Sequence, residues 1–367
     1  MISGAANRDH VLYSFVQPVD LRTIADEEPE LLELILTPAF GRLKHIHFLG
    51  GIDYLLVRAP NGAKGNIRHT RYQHSLGVAR LALRYSSHRE LPSEDRRVIT
   101  TAALLHDIGH APFSHSLEPI FKEVFGLEHH QATRDIVTGR VPLGREVYET
   151  LRRNKVDVEK VVAIIAGEEL GYDNFFSGPI NFDTIEGILR SLTYGRPKMQ
   201  LPSPEAVMEA ALRRLNHVDC RLVDEFWTYK DHVYRYIINS LRGVLADTVC
   251  QSFMRRHLEH IVDTDYFLTE KEMFRKLPGL RARLRSRSFI SDINCEIDGP
   301  ILFKERRFFI DSTGDFYQRQ DYIRYKQSKA ERMLLPTATN ALEPMSELNQ
   351  DLFDDDRHRP SASSIEH

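Results

Sequence analysis

Apolar side chains recur at helical spacing along most of this chain. The spacing i, i+4, i+7, i+11 is clearest in Tyr72, Leu76, Ala79 and Leu83. The apolar run Val98–Leu105 predicts a buried helix, and Asp183 opens another whose apolar side holds isoleucines and leucines. The stretch Pro204–Val262 is compatible with helix almost throughout. Helices are therefore expected to carry most of the fold.

The pattern changes towards the C-terminal end of the sequence. Phe289–Ile310 is richer in β-branched and aromatic residues, which favours strands. Arg306–Tyr317 predicts a hairpin that turns around Ser312–Asp315. Tyr322–Leu335 is predicted to return to helix. We therefore expect a mainly α fold with a small α+β C-terminal region.

The same patterns divide the chain into three parts. Residues 1–265 are predicted to form the helical core, beginning with an extended segment at 1–27. Residues 266–343 are predicted to form the smaller α+β region. Residues 344–367 are polar and rich in aspartate and serine, which is typical of a disordered tail.

Composition excludes several classes of protein. The 49 lysines and arginines against 52 acidic residues give a net charge of −3, so the whole chain offers no argument for binding nucleic acid. The three cysteines are widely spaced and form no Cys-x-x-Cys pair, which indicates neither a zinc ribbon nor a disulfide framework. No signal pattern or membrane-spanning stretch is apparent, and a cytoplasmic location is expected.

Candidate metal-binding residues are concentrated where the apolar run Val98–Leu105 ends. His106 and Asp107 follow that run directly, His74 lies on the preceding amphipathic helix, and Asp183 lies at the start of a later one. Two imidazoles and two carboxylates form a mixed nitrogen and oxygen donor set that suits one divalent ion of Mn, Fe, Zn or Mg without choosing among them. Such an ion lowers the pKa of a bound water and so favours hydrolysis. The alternative for Asp183 is an ordinary helix N-cap.

Other polar residues near these positions fit phosphate chemistry. Arg71 is one helical turn before His74 and could bind a phosphate, and a solvated surface arginine is the alternative interpretation. His110, His115 and His129 are candidate general acids or anion ligands. Exposed helix histidines are the alternative for His129 and its neighbour.

At these positions the chain resembles a known family. The set His74, His106, Asp107 and Asp183 matches the motif of the HD superfamily of metal-dependent phosphohydrolases. The segments Leu36–Ile46, His69–Val78, His106–Glu118 and His129–Gln131 resemble its deoxynucleotide triphosphohydrolase branch, which cleaves dNTPs to a deoxynucleoside and tripolyphosphate. The resemblance covers roughly residues 15–240 and implies a multi-helical HD-domain core.

The resemblance also implies roles for individual residues. His74, His106, Asp107 and Asp183 would bind the metal, and Arg71 would contact phosphate. The scissile phosphate would be surrounded by a second set consisting of His110, His115, His129 and Glu118. Glu118 stands where the family usually has aspartate.

Three further positions depart from the family pattern. Gly41 stands where the family has a glutamine that contacts the sugar, and Gly187 and Ser191 stand where it has a tyrosine and a second aspartate. The phosphate and metal positions are thus retained, whereas those that contact the nucleoside are not. The catalytic class is therefore better supported than the substrate.

The sequence as a whole predicts a nucleotide phosphohydrolase, most simply a dNTP triphosphohydrolase. One alternative is an HD phosphodiesterase or nuclease that acts on DNA, RNA or cyclic nucleotides. A second alternative is a catalytically weak nucleotide sensor. The resemblance also implies a homo-oligomer with a nucleotide effector, and the basic run Arg281–Arg287 is a candidate phosphate or nucleic-acid contact.

Overall fold

The computed structural model of the protein describes residues 24, 28–55, 68–168, 171–194, 200–286, 288–290 and 299–334. Apart from Ile24, the predicted extended segment 1–27 and the predicted tail 344–367 lie outside these residues. None of the helices within the described ranges combines the length and the apolar content that a membrane crossing requires.

Helices dominate the described residues, as the apolar spacing predicts. In chain order the α-helices there are α1 (Pro29–Leu36), α2 (Pro38–Arg42), α3 (Arg71–His88), α4 (Ser93–Leu105), α5 (Glu118–Phe125), α6 (His129–Val137), α7 (Arg145–Arg153), α8 (Val158–Ile165), α9 (Phe182–Leu192), α10 (Pro204–Arg213), α11 (His217–Val233), α12 (Leu241–Arg256), α13 (Glu270–Lys276), α14 (Leu280–Leu284) and α15 (Asp321–Arg324). A π-helical turn, Tyr234–Ile238, follows α11. Short 3₁₀ helices are Leu43–His45, Gly50–Tyr54, Ser114–Ser116, Pro142–Gly144, Tyr172–Asn174, Leu258–His260 and Asp263–Phe267.

Capping side chains define the ends of the helices that carry the predicted site. The Thr70 hydroxyl accepts a hydrogen bond from Gln73 N at 3.3 Å, and the Gln73 side chain accepts one from Thr70 N at 3.0 Å, so α3 begins with a capping box. Asn181 caps α9 by accepting a hydrogen bond from Thr184 N at 2.7 Å. Helix α4 ends directly before His106. Each of the three helices therefore has a defined end near a predicted ligand.

The interior consists of two apolar clusters, and the loop after α4 lies at their junction. The first cluster is formed chiefly by α3, α4 and α8–α11, and the second by α5 and α12–α14. Ile108 is fully buried in the first cluster, whereas Phe113, five residues later, is fully buried in the second. The polar residues of this loop are thereby fixed between two packed bodies of side chains.

A hairpin joins the C-terminal region to the helical core. Strand β1 (Ile301–Ile310) pairs antiparallel with β2 (Tyr325–Leu334) in a two-stranded sheet. Phe308 and Tyr325 pack on Trp227 of α11 with ring centroids 5.5 and 5.2 Å apart, and Trp227 Nε1 donates to Phe309 O at 3.2 Å. The structure confirms the mainly α fold with a small α+β C-terminal region. The boundary at residue 265 stays a prediction.

The prediction of a helix over Tyr322–Leu335 is wrong. Only Asp321–Arg324 is helical there, and the next ten residues form β2. Most β2 side chains are exposed and polar, so their pattern favours neither state, and pairing with β1 decides the conformation. The connection between the strands is also longer than the predicted turn, because it includes α15.

Candidate metal centre and adjoining histidine cluster

The four predicted metal ligands converge from three helices. His74 lies on α3, His106 and Asp107 follow α4, and Asp183 lies in the first turn of α9. Asn181, not Asp183, caps α9, so the Asp183 carboxylate is free to face the other three. Its side chain is 59 % exposed, whereas that of His74 is fully buried, which places Asp183 at the mouth of the group and His74 at its base.

The spacing of the donor atoms fits a single ion. His74 Nε2 lies 3.0 Å from Asp183 Oδ1, 3.3 Å from His106 Nε2 and 3.5 Å from Asp107 Oδ2. His106 Nε2 lies 3.8 Å from Asp183 Oδ1. Ligands about 2.1 Å from one ion stand about 3.0 Å apart at right angles and about 3.4 Å apart at the tetrahedral angle. His74, His106 and Asp107 therefore have the spacing that one divalent ion requires, and Asp183 lies within 4 Å of both histidines.

Hydrogen bonds behind the imidazoles turn their Nε2 atoms towards this group. His106 Nδ1 donates to Ala103 O at 2.8 Å, and His74 Nδ1 donates to Glu186 at 2.5 Å. Although burial opposes the charged form, Glu186, Asp183 and Asp107 together raise the pKa of His74 to about 9. Carboxylates that stabilise a proton on this imidazole would likewise stabilise a cation at its Nε2.

Glu186 belongs to a buried network that the sequence analysis did not identify. Its carboxylate forms an ion pair with Arg190, whose NH1 lies 3.1 Å from His69 Nδ1. Burial opposes the charged carboxylate, but Arg190 and His74 lower the pKa of Glu186 to about 2. Asp183, Glu186 and Arg190 are spaced i, i+3 and i+7, so they share one face of α9, and this spacing was the available sequence signal.

Arg71 positions Asp107. Its NH1 donates to Asp107 Oδ2 at 2.6 Å, its Nε to Ser114 Oγ at 3.0 Å and its NH2 to Phe48 O at 3.0 Å. Although burial favours the neutral acid, His106 and Arg71 hold the pKa of Asp107 well below its usual value. The arginine is buried, not solvated. These bonds use three of the five guanidinium N–H groups, so two are left for a phosphate. The contact with phosphate stays a prediction.

The other four predicted site residues form a second cluster around Glu118. Glu118 accepts hydrogen bonds from His115 Nδ1 at 3.0 Å, His129 Nδ1 at 2.5 Å and His129 N at 2.9 Å. Although burial opposes its charge, these bonds hold the pKa of Glu118 well below its usual value. His110 stacks on His129, with ring centroids 4.5 Å apart. Both histidines that bond Glu118 therefore keep their Nε2 atoms for a ligand.

His110 connects the two clusters. Its Nε2 lies 3.1 Å from Asp107 Oδ1. Burial and the nearby Arg71 charge hold the pKa of His110 well below its usual value, so the ring is neutral and its Nε2–H donates to Asp107. Nδ1 is then a buried acceptor, and it has no hydrogen-bond partner among the described residues. A buried polar atom in this condition indicates that a water or ligand group belongs beside it.

Comparison with known proteins agrees with this geometry. A family model described as HD domain matches residues 71–194, a range that contains every predicted site residue. Residues 71–194 therefore form an HD domain. The curated relatives that it matches include proteins of the deoxynucleotide triphosphohydrolase branch, so the predicted resemblance is confirmed.

Three relatives illustrate the range of similarity. The uncharacterized protein MG461 of Mycoplasma genitalium is 32 % identical over 279 residues, which are 69 % of this chain and 62 % of the relative. The uncharacterized protein YwfO of Bacillus subtilis is 34 % identical over 154 residues, 41 % of this chain and 33 % of the relative. Deoxynucleoside triphosphate triphosphohydrolase SAMHD1 of Bos taurus is 26 % identical over 344 residues, 89 % of this chain and 51 % of the relative. The chain thus spans less than two thirds of these relatives.

Gly187, one of the positions that depart from the family pattern, lies beside His74. A Cβ built on Gly187 would lie 3.2 Å from Phe48 Cζ and 3.6 Å from His74 Cε1, so a larger side chain there would displace the Phe48 ring. Ser191 Oγ donates to Gly187 O at 2.7 Å and is buried. A Cβ on Gly41 would meet no atom within 4 Å among the described residues. Because Gly187 has no side chain, the Phe48 ring packs against the His74 ring, with ring centroids 4.6 Å apart.

The structure divides the basic run near α14. Arg283 is buried, where its NH2 donates to Phe289 O at 3.0 Å and its guanidinium lies over the Phe289 ring. Arg281 and Arg285 are exposed, and Arg287 lies outside the described residues. At least one member of the predicted basic patch is therefore a packing residue.

Proposed function

We propose that this chain is a metal-dependent phosphohydrolase that acts on nucleotides, with dNTPs as its first substrate class and tripolyphosphate as the product. The observation that carries the proposal is the convergence of His74, His106 and Asp107, with Asp183 close to both of these histidines, beside a second cluster that contains three histidines. Relatives named deoxynucleoside triphosphate triphosphohydrolase support the substrate class. This chain covers only 36 % and 51 % of those relatives, so their activity supports the proposal and does not establish it.

One divalent ion would be held by His74, His106, Asp107 and Asp183. When bound, such an ion lowers the pKa of water and draws charge from phosphoryl oxygens. Arg71 and His110 both contact Asp107, so they fix the direction in which its carboxylate faces. Glu186 does the same for His74. Pre-organised donors of this kind need no rearrangement when charge develops on the substrate.

The histidine cluster would handle the proton of the leaving oxygen. Attack by water forms a bond to phosphorus, and the departing sugar oxygen then requires a proton. His115 is suited to supply it from Nε2, because its Nδ1 is held by Glu118 and its side chain is 62 % exposed. His129, bound to the same carboxylate but less exposed, is the second candidate.

The test is incubation of the purified protein with each dNTP separately in the presence of Mn²⁺, with products identified by mass spectrometry. Deoxynucleoside and tripolyphosphate in equal amounts are expected. The variant with both His106→Ala and Asp107→Ala should lose turnover. Shortened single-stranded DNA, or hydrolysis of a cyclic nucleotide without tripolyphosphate release, would instead identify a phosphodiesterase or nuclease. Binding of dNTPs without any turnover would identify a sensor.

We also propose that the protein forms homo-oligomers. Leu215 and Val218, on either side of the start of α11, are 74 % and 71 % exposed and offer two neighbouring apolar side chains for a contact between subunits. Light scattering during size-exclusion chromatography should give a mass at least twice that of the chain. The cytoplasmic location, the nucleotide effector and the nucleic-acid contact stay predictions from the sequence.

A further inference from the structure

A cavity of about 420 Å³ lies beside the first turn of α9, between that helix, α11 and the hairpin. Its wall includes the polar or aromatic side chains of Asn181, Thr184, Lys230, Tyr322, Lys326 and Gln327. Ligand sites for small molecules commonly have volumes of about 300–1,000 Å³. None of the predicted catalytic or metal-binding residues lines it, so it is separate from the site described above.

Lys230 is the unusual member of this wall. The residue is only 8 % exposed, and its Nζ lies 4.4 Å from the ring centre of Trp227 and 4.8 Å from that of Phe308. One of its three N–H groups donates to Pro179 O at 3.1 Å. Among the described residues no carboxylate lies within ion-pair distance of it. Burial lowers the pKa of Lys230 to about 8, although the charge of nearby Asp183 opposes this shift. An anion bound in the cavity would stabilise the charged form of this lysine, which Asp183 stabilises only from beyond ion-pair distance.

The rest of the wall is complementary to a phosphorylated ligand. Lys326 adds a second positive charge, and no acidic residue lines the cavity within the described part of the chain. Asn181, Thr184 and Gln327 offer hydrogen-bonding groups. Tyr322 has a side chain with a broad exposed face, since the residue is 67 % exposed, and such a ring can stack on a base.

We propose that this cavity binds a nucleotide, with its phosphates on Lys230 and Lys326 and its base against Tyr322. The choice of a nucleotide rests on the proposed function, but the binding does not depend on catalysis. Asn181 and Thr184 flank Asp183 in the first turn of α9, so an occupant of the cavity contacts the turn that carries a predicted metal ligand. Nucleotide binding here would therefore influence the metal centre without entering it.

The experiment measures binding in a protein that cannot turn over. The His106→Ala variant, kept in EDTA, is titrated by calorimetry with inorganic tripolyphosphate and with each dNTP. Addition of Lys230→Met should weaken binding at least about ten-fold, because charge-assisted hydrogen bonds are lost while the apolar stem is kept. Lys329→Met is the matched control, since Lys329 lies on the same strand as Lys326 but outside the cavity, and affinity should not change.

Stability provides an independent readout. Lys230→Met removes a buried unpaired charge, so its melting temperature should rise while affinity falls, as expected of a residue kept for binding. A lower melting temperature with unchanged affinity would show that Lys230 is structural and would overturn the proposal. Lys326→Met, at a half-buried position, keeps the test valid if Lys230→Met does not fold.

The remaining outcomes also decide the matter. Failure of both tripolyphosphate and dNTPs to bind the His106→Ala protein would overturn the proposal, even if the wild-type enzyme hydrolyses dNTPs. Binding of a single-stranded oligonucleotide that depends on Lys230, with no binding of mononucleotides, would assign the cavity to nucleic acid instead. Binding of dNTPs that is lost in Lys230→Met, with the deoxynucleoside alone bound weakly, would support it even if no turnover is found.

Discussion

Substitution of Glu186 by glutamine tests how the protein prepares His74 for a metal ion. Glu186 accepts a hydrogen bond from His74 Nδ1 at 2.5 Å and is only 3 % exposed. Glutamine preserves the shape of the side chain but removes its charge. The variant should therefore bind Mn²⁺ more weakly, although none of the four donor atoms has changed.

The structure allows the size of the effect to be estimated. The pKa of His74 rises from 6.5 to about 9 although burial opposes it, so the three neighbouring carboxylates together stabilise positive charge there by at least about 3 kcal/mol. Glu186 makes the largest favourable contribution. Loss of about half of this energy corresponds to roughly a ten-fold change in affinity, within the 10–100-fold range typical of groups that orient metal ligands.

The change also leaves Arg190 buried without its anionic partner, which by itself can cost about 3–5 kcal/mol of folding free energy. Stability and metal affinity must therefore be measured separately. The double variant Glu186→Gln with Arg190→Met removes both charges and should recover much of the stability while affinity stays low. Glu209→Gln, which breaks the exposed ion pair with Arg84, is the matched control and should alter neither quantity by more than a small amount.

Competition with a fluorescent chelator gives the Mn²⁺ dissociation constant, and urea titration gives the free energy of unfolding. If Glu186→Gln binds Mn²⁺ as tightly as the wild type, the reasoning about His74 is refuted. If the double variant regains both stability and affinity, the effect of Glu186 arises from folding alone and the orienting role is equally refuted.

Three further predictions follow from the same structure. Gly109→Ala would place a Cβ 2.2 Å from Thr133 N, so α6 must move away from the loop after α4. Thermal melting should show that the free energy of unfolding falls by about 1–3 kcal/mol. Glu118→Gln should lower kcat for dNTP hydrolysis more than it lowers Mn²⁺ affinity, and an equal loss of both would contradict the role of Glu118 in holding His115 and His129. Burial raises the pKa of Asp247 from 3.8 to about 6. Between these pH values the folded state binds more protons than the unfolded state. The stability of the wild type therefore falls as the pH rises from about 4 to about 6, by at most about 3 kcal/mol. Asp247→Asn should lack this fall and melt above the wild type at pH 7.5 but not at pH 4.5, and parallel melting curves at both pH values would exclude the buried charge as the cause.

The helices that carry the site could be predicted because their local sequence agrees with their tertiary role. Asp157 caps α8, and Thr269 forms a capping box with Glu272 at the start of α13. The apolar spacing on α3 corresponds to side chains that are buried in the first cluster. Where a stretch is amphipathic and begins with a capping residue, its local sequence is sufficient to predict the helix.

The set of residues at the centre was predictable for a different reason. Polar groups that immediately follow a fully apolar run, such as His106 and Asp107, must either be satisfied or bind something, because the helix leads them into the interior. Asp183 was harder to assign, since an aspartate near a helix start is usually a cap. Only the structure shows that Asn181 has that role and leaves Asp183 free.

What the sequence could not supply depends on contacts between distant segments. β2 is a strand only because β1 lies beside it, and its own side chains are nearly indifferent. Lys230 looked like one more polar residue on an amphipathic helix. Its burial arises from Trp227 on its own helix together with Phe308, which lies 78 residues further along the chain. Long-range packing of this kind leaves no periodic trace in the sequence.

The two clusters are connected because Asp107, a predicted metal ligand, also contacts His110 of the second cluster. Its Oδ2 accepts from Arg71 and lies 3.5 Å from His74 Nε2, while its Oδ1 lies 3.1 Å from His110 Nε2. His110 in turn stacks on His129, which is bonded to Glu118. A change of charge at the metal position would thus be felt by the histidines that handle the proton. Water activation and leaving-group protonation would therefore respond to one another through a single buried carboxylate.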